Sequence, residues 1–175
     1  MPRGNYRVSS YIDVEKVQVD DKYGSNLVNQ MIKKVMRDGK AQKATKIVYN
    51  AIEMLGKELH KDLSGDEYTE KTLISFHEAL KLARPRVEVK SKRIGGATLP
   101  VPTALSQKRS VAIGLTWIIK FARKRSEHSM EEKLYRELSD ILNKRGSTMR
   151  EKESVNKQAR ANRVFGKVRT DDDED

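Results

Sequence analysis

The densest run of side chains able to do chemistry lies at residues 84–93, where Arg84, Arg86, Lys90, Lys92 and Arg93 stand against a single acid, Glu88. Guanidinium and ammonium groups at that density suit phosphate: each is a lasting positive donor, and the arginine fork matches two phosphate oxygens at once. The bland alternative is a solvated edge, since charged strand edges also prevent aggregation. A second run follows at residues 106–126, with Lys108, Arg109, Lys120, Arg123 and Lys124 and no acid between Lys108 and Arg125. At about 100° per residue, Arg109, Lys120, Arg123 and Lys124 gather on one sector of a helix, with Trp117 at its margin. Val111, Ala112, Leu115, Ile118, Ile119 and Ala122 gather on the other side. Cations for a backbone beside a ring that can stack on a base are what folded RNA requires. Trp117 equally suits the edge of a core.

Catalytic chemistry finds no such support. The 175-residue sequence has no cysteine, which removes thiol nucleophiles, disulfides and cysteine-based metal sites, and its three histidines, His60, His77 and His128, lie too far apart to pair on one helix. No metal or cofactor is expected. Gly95-Gly96-Ala97-Thr98 lacks the spaced glycines and lysine of a phosphate-cradling loop. His77 precedes Glu78 inside an apolar helical stripe, where a packed or surface imidazole is the simpler reading. Thirty-six Lys and Arg against 25 Asp and Glu give a net charge of +11, and the five acids Asp171, Asp172, Asp173, Glu174 and Asp175 leave +16 on the remainder. That balance favours nucleic acid over an acidic protein or anionic lipid as partner. Residues 111–122, the densest apolar stretch, are broken by Gly114, Thr116 and Lys120 and fall short of a membrane span, and the start Met1-Pro2-Arg3-Gly4 carries no secretory run.

The elements that must position these cations follow from periodicity. Leu27, Val28, Met31, Ile32, Val35 and Met36 predict a helix stopped at Asp38-Gly39. Ala44, Ile47, Val48, Ala51, Ile52 and Leu55 predict a second, and Leu73, Phe76, Leu80 and Ala83 a third that ends before Pro85, after a loop marked by Gly65. Ser129 with Glu132 and Thr148 with Glu151 match capping boxes that open two more helices. Residues 86–102 alternate and then turn at Gly95-Gly96, which predicts a β-hairpin whose return strand, carrying Pro100 and Pro102, stays at an edge. A lone hairpin is marginal in water, so something beyond its own contacts must hold it. The expectation is a mainly α single domain of about six helices with one projecting β-hairpin, a flexible basic N-terminal arm (1–21), a helical RNA-binding domain (22–165) and a disordered acidic C-terminal tail (166–175).

The string Arg84-Pro85-Arg86-Val87-Glu88-Val89-Lys90-Ser91-Lys92-Arg93-Ile94-Gly95-Gly96-Ala97-Thr98, continuing to Pro100-Val101-Pro102, closely resembles the signature of bacterial-type small-subunit ribosomal protein seven, the S-seven family. Lys22-Tyr23-Gly24-Ser25, Met36-Arg37-Asp38-Gly39-Lys40, Ala122-Arg123-Lys124-Arg125 before Ser129-Met130, and Asn143-Lys144-Arg145-Gly146 before Ala161-Asn162-Arg163 agree with it in order. The resemblance implies a structural constituent of the small ribosomal subunit and no enzyme. It implies a primary binder of the 3′ major domain of the ribosomal RNA that nucleates assembly of the head, near the exit-site transfer RNA, the messenger path and other head and platform proteins. Its place would be the small subunit of a cytoplasmic ribosome, an organellar one being left open. Carried over, the RNA-binding candidates are Arg3 and Arg7; Lys22, Lys33, Lys34, Arg37 and Lys40; Arg84, Arg86, Lys90, Lys92 and Arg93; and Lys108, Arg109, Trp117, Lys120, Arg123 and Lys124. Lys92, Arg93, Ile94, Gly95, Gly96 and Ala97 would form the tip nearest the exit site.

Some positions depart from the family pattern. Thr116 stands where relatives often carry Arg, residues 102–107 lack the usual Glu and Arg, and the acidic ending replaces a basic, aromatic one. Two rival functions remain, a helical DNA-binding module of helix-turn-helix type and an RNA-processing enzyme. The first would concentrate charge on one recognition helix, and the second would need a catalytic constellation.

Overall fold

Val28, Met31, Ile32 and Val35 fall on one face of α1 (Asn26–Val35), and all four are buried. The same logic builds the other helices of the computed structural model, which describes residues 19–166. They are α2 (Ala41–Leu59), α3 (Gly65–Ala83), α4 (Gln107–Lys124), α5 (Met130–Leu142) and α6 (Ser147–Ala161), with a 3-10 turn at Arg163–Phe165. Arg3, Arg7 and the acidic run 171–175 lie outside the described residues. α5 packs against α2, α3 and α4, so Leu134, Leu138 and Ile141 occupy the centre of the core beside Leu55, Phe76 and Leu115. Among the described residues no helix is long and apolar enough to cross a membrane.

Helix ends show where local signals held and where packing replaced them. α1 ends at Val35, three residues before the expected stop at Asp38-Gly39, where φ values of 52° and 69° place both residues in the left-handed region and turn the chain toward α2. α3 ends at Ala83, before Pro85. Gly65, expected in a loop, instead opens α3 with a φ of 67°, and Asp66 and Glu67 follow in the first turn, where carboxylates complement the helix dipole. Ser129 caps α5 by accepting a hydrogen bond from the Glu132 N–H at 3.2 Å.

The expected capping box at Thr148 does not form. α6 begins one residue earlier, and Thr148 is buried within its first turn. The Thr148 N–H and hydroxyl both donate to Glu137 Oε1 of α5, at 3.2 and 2.6 Å. A carboxylate is a stronger acceptor than a hydroxyl, and α5 delivers it to the helix start. Glu137 is itself 0% exposed, and Arg125 Nη1 donates to its Oε2 at 2.8 Å, so the buried carboxyl is partnered on both oxygens. Arg125 also meets Asp140 Oδ2 at 2.5 Å and Glu127 Oε1 at 3.1 Å, so this cation of the Ala122–Arg125 string is spent on holding α4, α5 and α6 together.

The hairpin is longer than residues 86–102: β1 (Val87–Ile94) and β2 (Ala97–Ala104) pair antiparallel from Val87↔Ala104 to Ile94↔Ala97. The turn is Gly95-Gly96, with φ values of 57° and 88°, the positive pair that a two-residue hairpin turn demands. The bond from the Leu105 N–H to the Arg86 carbonyl extends the ladder, so Ser91↔Pro100 and Val89↔Pro102 alternate with the hydrogen-bonded pairs. The missing proline N–H groups therefore point away from β1, as the edge-strand expectation requires. Contacts beyond the sheet hold the base. α6 packs on β1 and the 3-10 turn on β2, burying Val87, Val101 and Pro102, whereas Ser91, Lys92, Arg93 and residues 95–98 are exposed. The base is thus fixed by the body, which supplies the support that a lone hairpin lacks.

Candidate nucleic-acid interface

α4 collects the predicted cations because its apolar side is committed elsewhere. Leu115, Ile118, Ile119 and Ala122 are buried, which turns Thr116, Lys120, Arg123 and Lys124 outward. Gly114 suits this seating: a Cβ there would come 3.1 Å from the Arg84 Cα, tighter than an ordinary contact, so its absence lets α4 lie close against the end of α3. At the same junction the Ser110 hydroxyl donates to the Pro85 carbonyl at 2.5 Å.

The beginning of α4 is locked to the hairpin. Arg109 donates from Nε to both Glu88 oxygens at 3.1 Å and from Nη2 to Oε2 at 2.9 Å, while Lys90 Nζ lies 2.7 Å from Oε1. Hydrogen bonding from Arg109 holds the Glu88 carboxyl below its ordinary value, and Glu88 in turn raises Arg109. The acid-free run along the sequence is therefore not acid-free in space. Glu88 comes to Arg109 from β1, and Glu151 of α6 comes within 3.8 Å of Lys120. Strand and helix packing bring in acids that sequence neighbours do not reveal.

The rest of α4 is tied to α1. Lys34 Nζ donates to Thr116 Oγ1 at 2.9 Å, so a lysine from another helix reaches this position. Arg123 Nη2 reaches the Val35 carbonyl at 3.3 Å. Burial, then repulsion from Arg37, lowers the Arg123 guanidinium from its usual value. Lys120 and Lys124 flank the Phe121 ring at 5.2 and 5.8 Å from its centroid, a cation–π arrangement. Lys34, Arg37 and Arg123 thus meet at the α1–α4 seam, with Lys120 and Lys124 on the adjoining surface of α4.

Other candidates stand apart from that seam. Lys22 pairs with Glu53 Oε2 at 3.4 Å and lies over the Tyr23 and Tyr49 rings, next to a turn that Asp20 anchors by accepting from the Tyr23 and Ser25 N–H groups. Burial pushes the Tyr23 hydroxyl up to about 12, so it stays a neutral donor. Lys40 lies 3.6 Å from Asp38. Lys33 is exposed on the last turn of α1, Lys108 on the first turn of α4, and Arg86, Lys92, Arg93, Gly95, Gly96 and Ala97 are exposed along the hairpin. Arg84 is half-buried, as is Trp117. His77 Nε2 lies 3.1 Å from Ser25 Oγ and its basicity is lowered by burial, the behaviour of a packed imidazole. Among the described residues no group of three or more His, Cys, Asp or Glu is placed to hold a metal.

Two cations that the sequence reading passed over, Lys43 and Lys133, stand beside Arg37 and Arg123. Lys43 could have been found one turn after Lys40 at the start of α2. Nothing in the spacing ties Lys133 to them.

Known proteins share these sequences widely. The family described as Ribosomal protein S7p/S5e matches residues 8–163. The small ribosomal subunit protein uS7 of Campylobacter hominis is 42% identical over 156 residues, covering 89% of this chain and 95% of that protein. Those of Rubrobacter xylanophilus and Paracoccus denitrificans are 41% and 38% identical, each over 88% of this chain and 93% of the relative. A match of that length and identity, over a fold whose hairpin and α4 carry the matched basic strings, settles the kinship: the chain belongs to the ribosomal protein S7p/S5e family.

Proposed function

We propose that this chain is a non-enzymatic structural constituent of the small ribosomal subunit, where it binds ribosomal RNA of the 3′ major domain and nucleates assembly of the head. One observation carries the reading: the cations of the hairpin and of α4 are joined into a stripe. Glu88 couples Lys90 to Arg109 at one end of α4, and α1 and the loop after it supply Lys34 and Arg37 toward the other. Such a spread over several elements matches an irregular RNA surface, which is read by shape, phosphates and 2′-hydroxyls, better than one groove of a duplex.

Within this reading Arg84, Arg86, Lys90, Lys92 and Arg93 contact RNA from the hairpin, and Lys108, Arg109, Lys120, Arg123 and Lys124 from α4, with Trp117 beside them. Lys22, Lys33, Lys34, Arg37 and Lys40 extend the contact over α1 and its flanks, and Arg3 and Arg7 would add to it. The tip, residues 92–97, lies toward the exit-site transfer RNA and the messenger path. The test is sedimentation of the full chain with small subunits, followed by cross-linking to their RNA. Cross-links from Lys92 and Lys120 to the head domain are expected, with no displacement by excess duplex DNA. Absence of the chain from the small-subunit fraction, or full displacement by DNA, would overturn the reading.

A further inference from the structure

A groove of about 500 Å³ opens where the Arg37–Lys40 loop and the start of α2 face the end of α4 and the start of α5. Its floor is apolar: Val35, Met36, Ala44, Ile47 and Met130. Its rim is cationic, with Arg37, Lys40, Lys43, Arg123 and Lys133 against one acid, Asp38. We propose that this groove receives a single unpaired nucleotide of the RNA, its base lying on the apolar floor and its flanking phosphates on the rim. The proposal rests on the RNA-binding reading above and adds to it a place where a base, and not only the backbone, is held.

The observations select this occupant. The volume lies within the ~300–1,000 Å³ range of sites that enclose a small ligand. A continuous duplex presents its phosphates but keeps its bases stacked, so it would leave the floor empty. An acidic peptide would meet the rim and also leave the floor empty. A splayed-out nucleotide satisfies both, and unpaired bases are the parts of RNA that proteins commonly bind individually. The two Met thioethers supply soft, polarisable contact for a flat ring, and the lining adds a ring of its own, the imidazole of His128.

The rim is already poised for negative charge. Arg123 is held by the Val35 carbonyl and repelled by Arg37, so a phosphate between the two guanidinium groups would relieve that repulsion. α2 begins at the groove with no acid in its first turn and no side-chain cap from Lys40. Its positive end therefore adds to the same field.

The test uses the full chain and a transcript of the 3′ major domain, with affinity measured beside base-specific chemical probing. Wild type should protect one or a few unpaired bases together with the backbone. Ile47→Trp, which fills the floor, and Lys43→Glu with Lys133→Glu, which reverses the rim at surface positions, should each weaken binding by about tenfold. Both should restore reactivity at the same base while the hairpin footprint persists. The two variants perturb packing differently, so a shared loss of that one protection reports the groove. Variants that keep the affinity and every base protection would overturn this proposal alone. A wild-type chain that does not bind the transcript would overturn the RNA-binding reading as well.

Discussion

Glu137 and Glu88 show how differently one carboxylate can act according to its burial. Glu137 is sealed from water and joins Arg125 to the start of α6, so removing it takes one carboxylate from a partly buried guanidinium and uncaps a helix. Breaking a buried pair from one side costs about 3–5 kcal/mol; Glu137→Ala should fall near the lower end, because Arg125 keeps Asp140 and Glu127. Thr148→Val, which removes only the hydroxyl, should cost about 1 kcal/mol. Urea unfolding of the two variants checks both values. Glu88 lies on the surface side, and its folded pKa is depressed below the ordinary 4.5. Its contribution is therefore present above that value and lost as pH falls through the lower folded pKa, which a carboxyl NMR titration would locate below 4.5. Glu88→Gln should change stability little, since exposed pairs are worth about 0–1 kcal/mol. It should tighten RNA binding at low salt, because Arg109 and Lys90 lose their competing anion; unchanged or weaker binding would count against that role. Neither role was legible in spacing, since the partners lie in different elements.

α4 has two faces with separable consequences. Leu115 is 0% exposed, and Leu115→Ala should cost about 2–5 kcal/mol of stability while leaving the cations in place. Replacing Lys120, Arg123 and Lys124 together by Ala should do the reverse, leaving thermal unfolding within a few degrees and weakening RNA binding at least tenfold. Calorimetry paired with a binding titration separates the two, and wild-type affinity in the triple variant would remove α4 from the interface. In the hairpin, both turn glycines have positive φ. Gly95→Asn should therefore be tolerated, while Gly95→Val should loosen the tip. Amide exchange at Lys92 and Leu99, a hydrogen-bonded pair near the tip, should accelerate in the valine variant and not in the asparagine one. The helical stripes, the hairpin and its glycine turn were legible because each depends on residues close in sequence. The start of α6 was not, because its cap comes from α5.

Across the whole molecule the net charge of +11 is an average over unlike parts. If the hairpin, α1 and α4 together neutralise 6–10 phosphates, affinity for the RNA should fall by roughly 10³–10⁵ between 50 and 200 mM salt. A dissociation constant measured across that range checks the number of contacts, and a flat response would refute phosphate binding. The helices, the hairpin with its edge prolines, the absence of cysteine chemistry, the basic runs and, through matching strings, the family are all legible in the amino-acid order. These are properties of neighbouring residues and of composition, so no long-range contact is needed to read them. Which charges remain available depends instead on how the elements pack. Packing spent Arg125 on Glu137 and Asp140, brought Glu88 and Glu151 to a helix face with no acids of its own, and gathered Lys43 and Lys133 beside Arg37 and Arg123 over an apolar floor. Electrostatic partnership depends on distance in space, and in this fold that distance is set by how α5, α6 and the hairpin pack on α4.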